Sequence, residues 1–273
     1  MATATINGVR LAYEIGGNGD IPLVLVHGSW VSRRGWDLVV PGLAESFRVV
    51  TYDRRGHSES ERPTTQGSVH EDAADLAALI EHLALGHARV AGNSFGASIA
   101  LRLTCTQPAL LQGVIAHEPP LFALLANDPA VASVLKTLRA GTSSVVQRIA
   151  AGDHAGAAEQ FVDTIALGPG AWAGLPRHAQ QTCIENAPTF LDETNDPDQY
   201  GFDVHGITTF SRSVLLSTGD QSFPAYGLVL EELARVMPRA DVFTFRGSGH
   251  IPHATHPDAY VDVVTDFIRK HEG

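Results

Sequence analysis

The sequence predicts an α/β fold: a mostly parallel sheet of eight strands flanked by helices, with an inserted helical cap. Two observations carry this prediction. Short β-branched and leucine-rich runs alternate with helical stretches, which is typical of parallel strands joined by right-handed crossovers. Between residues 121 and 210 the alternation stops and only helical signals follow one another. We therefore expect a core of residues 1–120 and 211–273 and a helical cap of residues 121–210.

The predicted strands can be placed in order along the chain. Asn-Gly at positions 7 and 8 predicts a tight hairpin between the first two strands. Residues 22–26 and 48–52 are continuous apolar runs, typical of strands buried on both faces. Four further strands are predicted just before residue 92 and at residues 112–117, 213–217 and 241–245.

Helices are predicted between these strands. Residues 34–45 and the stretch after residue 96 form two of them, and residues 68–85 show apolar side chains at helical spacing. Two more are expected at residues 225–236 and 257–271. Each connects one strand of the core to the next or closes the chain.

Composition excludes several classes of function. The chain has 273 residues, 44% apolar and 18% charged, with a net charge of −11, which argues against nucleic acid and anionic membranes as partners. No apolar run approaches the roughly 18 residues that a membrane helix needs. Residues 1–7 do not resemble a signal peptide, and Cys105 and Cys183 are too few for a disulfide scaffold. We expect a cytoplasmic protein.

The most informative motif is Gly-Asn-Ser-Phe-Gly at residues 92–96, between a short apolar strand and a helix rich in small residues. This arrangement is typical of a nucleophile elbow, a tight turn that lifts the serine hydroxyl clear of the backbone. Its glycines let the chains pass without a Cβ clash. Ser94 is therefore the predicted nucleophile.

A serine hydroxyl becomes a good nucleophile only when a base removes its proton. His250 follows the last predicted strand in a glycine-rich loop, and ligands of open α/β sheets bind outside the carboxyl ends of the strands. We predict His250 as the base. His253 and His256 are expected to be surface residues at the start of the last helix.

Three segments together resemble the α/β-hydrolase family over essentially the whole chain. They are His-Gly at residues 27–28, the elbow at 92–96, and Gly-Ser-Gly-His at 247–250, each after a predicted strand and in the family's order. The resemblance implies an oxyanion hole formed by the backbone N–H groups of Ser29 and Phe95. No phosphate loop, dinucleotide fingerprint or metal-ligand spacing occurs in the sequence, so we expect neither a cofactor nor a metal.

The acid that should orient the histidine has two candidates. In most family members it lies after the seventh strand, commonly three residues beyond a glycine. Here that position holds Ser222, and Asp220 comes two residues early. Glu118 ends the sixth strand before two prolines, and many haloalkane dehalogenases and the fungal-type zearalenone lactone hydrolases place their acid after this strand. We predict Glu118, with Asp220 as the alternative.

The serine narrows the reaction, because dehalogenases and epoxide hydrolases of this fold use aspartate at the elbow. We expect a compact hydrophobic ester or lactone as substrate, cleaved through an acyl-enzyme. A cap tryptophan also meets the substrate in zearalenone lactone hydrolases, which some features of this chain resemble. The predicted pocket lining consists of Trp30, Pro120, Phe122, Trp172 and Ile251.

Two other functions stay open. One is a carbon–carbon bond hydrolase or lyase on the same fold, in which a polar cap group often assists; the cap has a single lysine, Lys136. The other is a ligand-binding receptor with little turnover, since a fold can be kept without its chemistry. A homodimer is compatible with the sequence as well.

Overall fold

A computed structural model describes residues 1–272. One sheet of eight strands runs through it in the order β1-β2-β4-β3-β5-β6-β7-β8. The pairs β1–β2 and β2–β4 are antiparallel, and the other neighbours are parallel. The strands are β1 (Ala2–Ile6), β2 (Val9–Gly16), β3 (Pro22–Val26), β4 (Arg48–Tyr52), β5 (Ala88–Asn93), β6 (Leu111–His117), β7 (Ser213–Gly219) and β8 (Asp241–Phe245).

Helices flank the sheet and fill the connection between β6 and β7. The core helices are α1 (Val40–Ala44), α2 (Val69–His82), α3 (Phe95–Thr106), α10 (Pro224–Val236), α11 (Pro252–Thr255) and α12 (Pro257–Lys270). The β6–β7 connection holds α4 (Ala132–Ala150), α5 (His154–Phe161), α6 (Ala171–Gly174), α7 (Arg177–Asn186), α8 (Thr189–Asn195) and α9 (Val204–Thr208).

The sheet is covered on both faces. Alternate residues of each central strand point to opposite sides: in β3, Val24 and Val26 belong to the apolar layer shared with α2, α3 and α10. Leu23 and Leu25 belong to the second layer, which α1 and α12 cover. Because apolar side chains cover both faces of the sheet, the strands carry apolar residues without alternation. Because these strands run parallel to one another, the carboxyl ends of β3, β5, β6, β7 and β8 lie at one edge of the sheet.

The predicted fold class is confirmed, and most elements lie where the sequence places them. The hairpin turns at Asn7, whose φ is 47°, and Gly8, whose φ is 79°. One predicted helix is wrong: residues 34–45 form a 3₁₀ turn, Arg33–Trp36, followed by α1. Pro41 explains the break, because proline has no N–H to donate and fits only the first turn of a helix.

His253 is not the surface residue that we expected. It is 6% exposed, and its ring centroid lies 4.3 Å from that of Trp36 and 5.9 Å from that of Tyr260. Burial, with the nearby His117 and His250, lowers the pKa of His253 to about 3. His256, in contrast, is partly exposed. The short helix α11 turns His253 inward, and a sequence pattern in a four-residue helix does not reveal this.

None of the helices in residues 1–272 has both the length and the apolar character needed to span a bilayer.

Replacing His253 with phenylalanine should weaken the acid sensitivity of the fold. A histidine whose folded pKa is depressed takes up its proton only on unfolding. Its stabilising neutral form is therefore fully present above the unfolded value, near 6.5, and the stability falls as the pH drops toward 3. Each such group contributes up to about 1.4 kcal/mol per pH unit to the slope. Urea unfolding between pH 6.5 and 4 should show a shallower slope for His253→Phe.

The matched control is His205→Ala, because His205 is exposed on α9. It should leave the slope of stability against pH unchanged. If His253→Phe and the wild type have parallel curves, the account of His253 as a buried neutral group is wrong.

Candidate active site

Ser94 lies at the sharp turn between β5 and α3. Its φ of 55° and ψ of −124° are strained for a residue with a side chain. The glycines around it are sterically required: a Cβ at Gly92 would overlap the backbone of Gly96, and one at Gly96 would overlap the carbonyl of Val26. The turn is thus as tight as an elbow requires, and Ser94 remains partly exposed.

His250 and Glu118 are joined by a short hydrogen bond. His250 Nδ1 lies 2.6 Å from Glu118 Oε2. The other carboxylate oxygen of Glu118 accepts hydrogen bonds from the Gly219 N–H and the Thr218 hydroxyl, both at 2.7 Å. This pattern leaves His250 Nε2 free to face a reacting group. Like Ser94, Glu118 has a positive φ, of 48°.

The electrostatics keep Glu118 ionised. Burial raises the pKa of its carboxyl, but the hydrogen bond from His250 and the neighbouring charges outweigh burial and lower the pKa to about 2. His117, whose Nε2 lies 3.8 Å from Glu118 Oε2, is held neutral by burial, which lowers its pKa to about 4. A carboxylate that stays charged at neutral pH can orient and stabilise an imidazolium.

Ser94 and His250 both lie next to Tyr226, but no hydrogen bond joins them to each other within the described part of the chain. Bonds between a nucleophile and its base are often loose in free enzymes and tighten when substrate binds. Asn93, inside the elbow, donates from Nδ2 to the His250 carbonyl at 2.9 Å and so ties the histidine loop to the nucleophile turn.

Tyr226, on α10, is a residue that the sequence analysis missed. Its ring stacks on the His250 imidazole, with centroids 4.6 Å apart and planes inclined by 20°. Burial and the Glu118 charge raise the pKa of the Tyr226 hydroxyl, which lies beside Ser94. The phenol thus stays protonated. The only sequence signal was its place in the first turn of the helix after β7.

Asp220 does not reach His250. Its Oδ1 accepts a hydrogen bond from the Gly247 N–H at 2.8 Å, and the Arg246 guanidinium lies 3.7 Å from Oδ2. Asp220 therefore supports the loop that carries the histidine. The Ser222 hydroxyl, at the usual acid position, is close enough to lower the pKa of Glu118 but lacks hydrogen-bond geometry.

The two predicted oxyanion donors lie beside Ser94. Within residues 1–272, neither the Ser29 nor the Phe95 N–H donates to a backbone carbonyl. The loop that follows β3 (residues 27–32, called the β3 loop) comes very close to the elbow, since a Cβ on Gly28 would lie 3.1 Å from that of Ser94. N–H groups without a backbone acceptor are what an oxyanion hole needs, and the assignment of Ser29 and Phe95 to it stays a prediction.

The predicted pocket residues are buried to different extents. Trp30 is 1% and Phe122 8% exposed. Trp172 is half-buried against the apolar cluster that contains Trp30. Pro120 is buried, and Ile251 is half-buried. Their roles in substrate binding stay predictions.

No cluster of three or more His, Cys, Asp or Glu side chains in residues 1–272 has the arrangement of a metal site.

Comparison with known proteins now identifies the family. The sequence profile of the alpha/beta hydrolase family matches residues 23–263. The chain belongs to this family. As an α/β hydrolase it shares the fold of a thermophilic esterase from Thermogutta terrifontis, with a TM-score of 0.80, 21% identity and coverage of 100% of this chain and 99% of the other.

Two further relatives differ in what they act on. Est816, described as an N-acyl homoserine lactone degrading enzyme, superposes with a TM-score of 0.77 at 20% identity over 97% of this chain and 100% of its own. A soluble epoxide hydrolase of Corynebacterium sp. (strain C12) is 41% identical over 97 residues, which are 36% of this hydrolase but only 34% of the relative. These likenesses establish a hydrolase fold and leave the substrate open.

Glu118→Gln should reduce turnover by several orders of magnitude, whereas Asp220→Asn should cost less than about tenfold, because loss of a triad acid can cost about 10⁴ through the wrong histidine tautomer. Steady-state hydrolysis of one aryl ester by both folded variants provides the measurement. Asparagine at 220 keeps the acceptor for Gly247, so this variant is the matched control. The reverse ranking would assign the acid to Asp220.

Proposed function

We propose that the protein is a serine hydrolase that cleaves a hydrophobic carboxylic ester or lactone through an acyl-enzyme intermediate. One observation carries the proposal: the 2.6 Å contact of His250 Nδ1 with the buried Glu118 carboxylate, at the sheet edge where Ser94 occupies a strained elbow. A base with one nitrogen fixed by an acid and the other left free for a serine suits acyl transfer.

The first half of the reaction acylates the enzyme. His250 Nε2 removes the proton of Ser94 as Oγ attacks the carbonyl carbon, and the imidazolium is stabilised by Glu118. The carbonyl oxygen becomes an oxyanion, which the N–H groups of Ser29 and Phe95 bind. The intermediate then expels the alcohol, which takes the proton from His250.

The second half releases the acid. Water, deprotonated by His250, attacks the acyl-enzyme, and a second tetrahedral intermediate expels Ser94 Oγ, which regains its proton from the His250 imidazolium. With a lactone, the leaving alcohol stays attached to the acyl chain, so one hydroxy acid is the product. The same residues serve both halves.

The nucleophile argues for esters over epoxides. Epoxide hydrolases of this fold use an aspartate at the elbow, and the elbow here holds Ser94. The resemblance to the Corynebacterium enzyme covers only 36% of this chain. The esterase and lactonase neighbours are consistent with a serine mechanism.

We further propose residues 121–210 as a cap that roofs the pocket. This segment contributes Phe122, which packs against Tyr226 with ring centroids 5.5 Å apart, next to the His250 stack. Such aromatic surroundings suit a small apolar acyl or alcohol group. Lys136, the polar group considered for carbon–carbon chemistry, is exposed on α4, so no observation favours that reaction.

Ser94→Ala should abolish both ester hydrolysis and covalent labelling by a fluorophosphonate, because the adduct forms only on the activated serine. Mass spectrometry of the digested protein should place the label on the peptide that contains Ser94. Ser98→Ala, one turn further along α3, is the matched control and should label normally. Label on another residue, or turnover by folded Ser94→Ala, would refute the proposal.

Uncharged esters and lactones should be better substrates than anionic ones. The net charge of −11 disfavours the approach of anions, and the predicted lining is apolar. A panel of p-nitrophenyl acyl esters, aryl acetates, macrolactones and dicarboxylic half-esters tests this through kcat/KM. Highest kcat/KM on the half-esters would show the proposed substrate class to be wrong.

A further inference from the structure

Helix α8 contacts two consecutive residues of the β3 loop, Ser29 and Trp30. The Ser29 hydroxyl donates to Glu193 Oε2 at 2.5 Å. The Trp30 ring lies 5.1 Å from that of Phe190, centroid to centroid. Phe190 and Glu193 are three residues apart on α8, so they share one face of the helix. A helix of the proposed cap therefore packs directly on the β3 loop.

The backbone at this point needs such support. Trp30 has a φ of 69°, which is an outlier for a bulky side chain. Strained residues persist only where their surroundings fix them. Phe161, on α5, stacks on the Trp30 ring, with centroids 4.8 Å apart and planes inclined by 23°. The peptide that follows Ser29 thus keeps its orientation because side chains of α5 and α8 pack on Trp30.

Glu193 extends this contact to the second donor. Its Oε1 accepts from Arg54 Nη2 at 2.8 Å. The Arg54 guanidinium also lies 4.7 Å from the centre of the Phe95 ring and donates from Nη1 to the Gly28 carbonyl at 3.3 Å. Asp72 holds the same guanidinium, accepting from Arg54 Nε at 3.2 Å and from Nη2 at 3.0 Å. The Glu193–Arg54 pair, which Asp72 extends, therefore contacts three residues of the proposed oxyanion hole and its loop: Gly28, Ser29 and Phe95.

Stability alone does not explain this ion pair. Arg54 and Glu193 are 2% and 5% exposed, and a buried pair of this kind is often no better than apolar packing. Burial raises the pKa of Glu193, while Arg54 and the Ser29 hydroxyl favour its charged form. The cost of burying these charges is consistent with a role in the geometry of the loop.

We infer that Glu193 is a positioning residue for the oxyanion hole: it holds Ser29 directly and Phe95 through Arg54, so that both N–H groups point at the Ser94 adduct only while α8 is seated. This inference rests on the proposed function. It assigns a part in the chemistry to the proposed cap, in addition to enclosing the substrate.

Glu193→Gln tests the inference in the whole protein. An amide keeps the shape but loses the ion pair and one acceptor, so kcat should fall about tenfold, less than the 10²–10³ lost when a donor is removed outright. KM should change by less than about twofold, since the interaction forms in the transition state. Ser29→Ala, which retains its N–H, should show a similar fall, and the double variant should lose no more than the larger single effect.

Asp196→Asn is the matched control. Asp196 is 5% exposed and follows the same helix, but its Oδ2 accepts from the Val69 N–H at 2.7 Å, away from Ser29. It should lower thermal stability and leave kcat within about twofold of the wild type. An equal fall of kcat in both variants would mean that only general docking of α8 matters, and the inference would be overturned.

Hydrogen exchange supplies a readout that does not need turnover. Peptides covering residues 27–33 should exchange several-fold faster in Glu193→Gln than in Asp196→Asn or the wild type. Unchanged exchange there overturns the inference, whatever the kinetics. If the wild type neither hydrolyses esters nor labels at Ser94, the proposed function fails, and the exchange result still decides whether Glu193 orders the loop.

Discussion

The buried carboxylate of Glu118 is the interaction on which the edge of the sheet depends. It stands at the end of β6, and its two oxygens accept from Thr218 and Gly219 at the end of β7 and from His250 after β8. Burying a charge is costly unless donors replace water. Three donors do so here, so the site and the local sheet edge form a single hydrogen-bonded unit.

Backbone strain is concentrated beside this carboxylate. Ser94 and Glu118 follow neighbouring strands, and both have a positive φ. Each is fixed by a hydrogen bond that continues the sheet ladder: the Ser94 N–H donates to the His117 carbonyl at 2.8 Å, and the Glu118 N–H to the Ser217 carbonyl at 3.1 Å. The regular sheet thus supports two strained residues at the positions of the proposed nucleophile and the proposed acid.

The sequence was most informative where structure is local. Elements that depend on neighbours along the chain have recognisable sequence patterns. They include the hairpin at residues 7–8, the buried strands and the elbow at residues 92–96. Glu118 could be proposed from the sequence because it directly follows a predicted strand, and ligands of open α/β sheets bind at the carboxyl ends of the strands. The break at Pro41 was also legible, and giving proline its full weight as a helix terminator would have corrected the predicted helix.

Contacts between segments that are distant along the chain could not be predicted from the sequence. Tyr226 reaches His250, and Glu193 reaches Ser29 across 164 positions of the chain. Neither position has a pattern of its own, since a tyrosine or glutamate in a helix is usually a packing or surface residue. The burial of His253 was missed for the same reason: it depends on Trp36, far away in the sequence. Such contacts are set by tertiary packing.

Chain connectivity and physical coupling group the helices differently. The prediction of residues 121–210 as one cap follows connectivity. Hydrogen bonds instead tie the end of α7 and all of α8 to the core. Asn186 accepts from the Ser58 N–H at 2.8 Å and donates to the Val31 carbonyl at 3.0 Å, and Glu193 pairs with Arg54. Removing one partner of a buried ion pair costs about 3–5 kcal/mol, because a charge is left unpaired, whereas α4 and α5 contact the Trp30 cluster through apolar side chains. By these polar contacts α8 is coupled to the core that carries Ser94 more directly than α4 and α5 are.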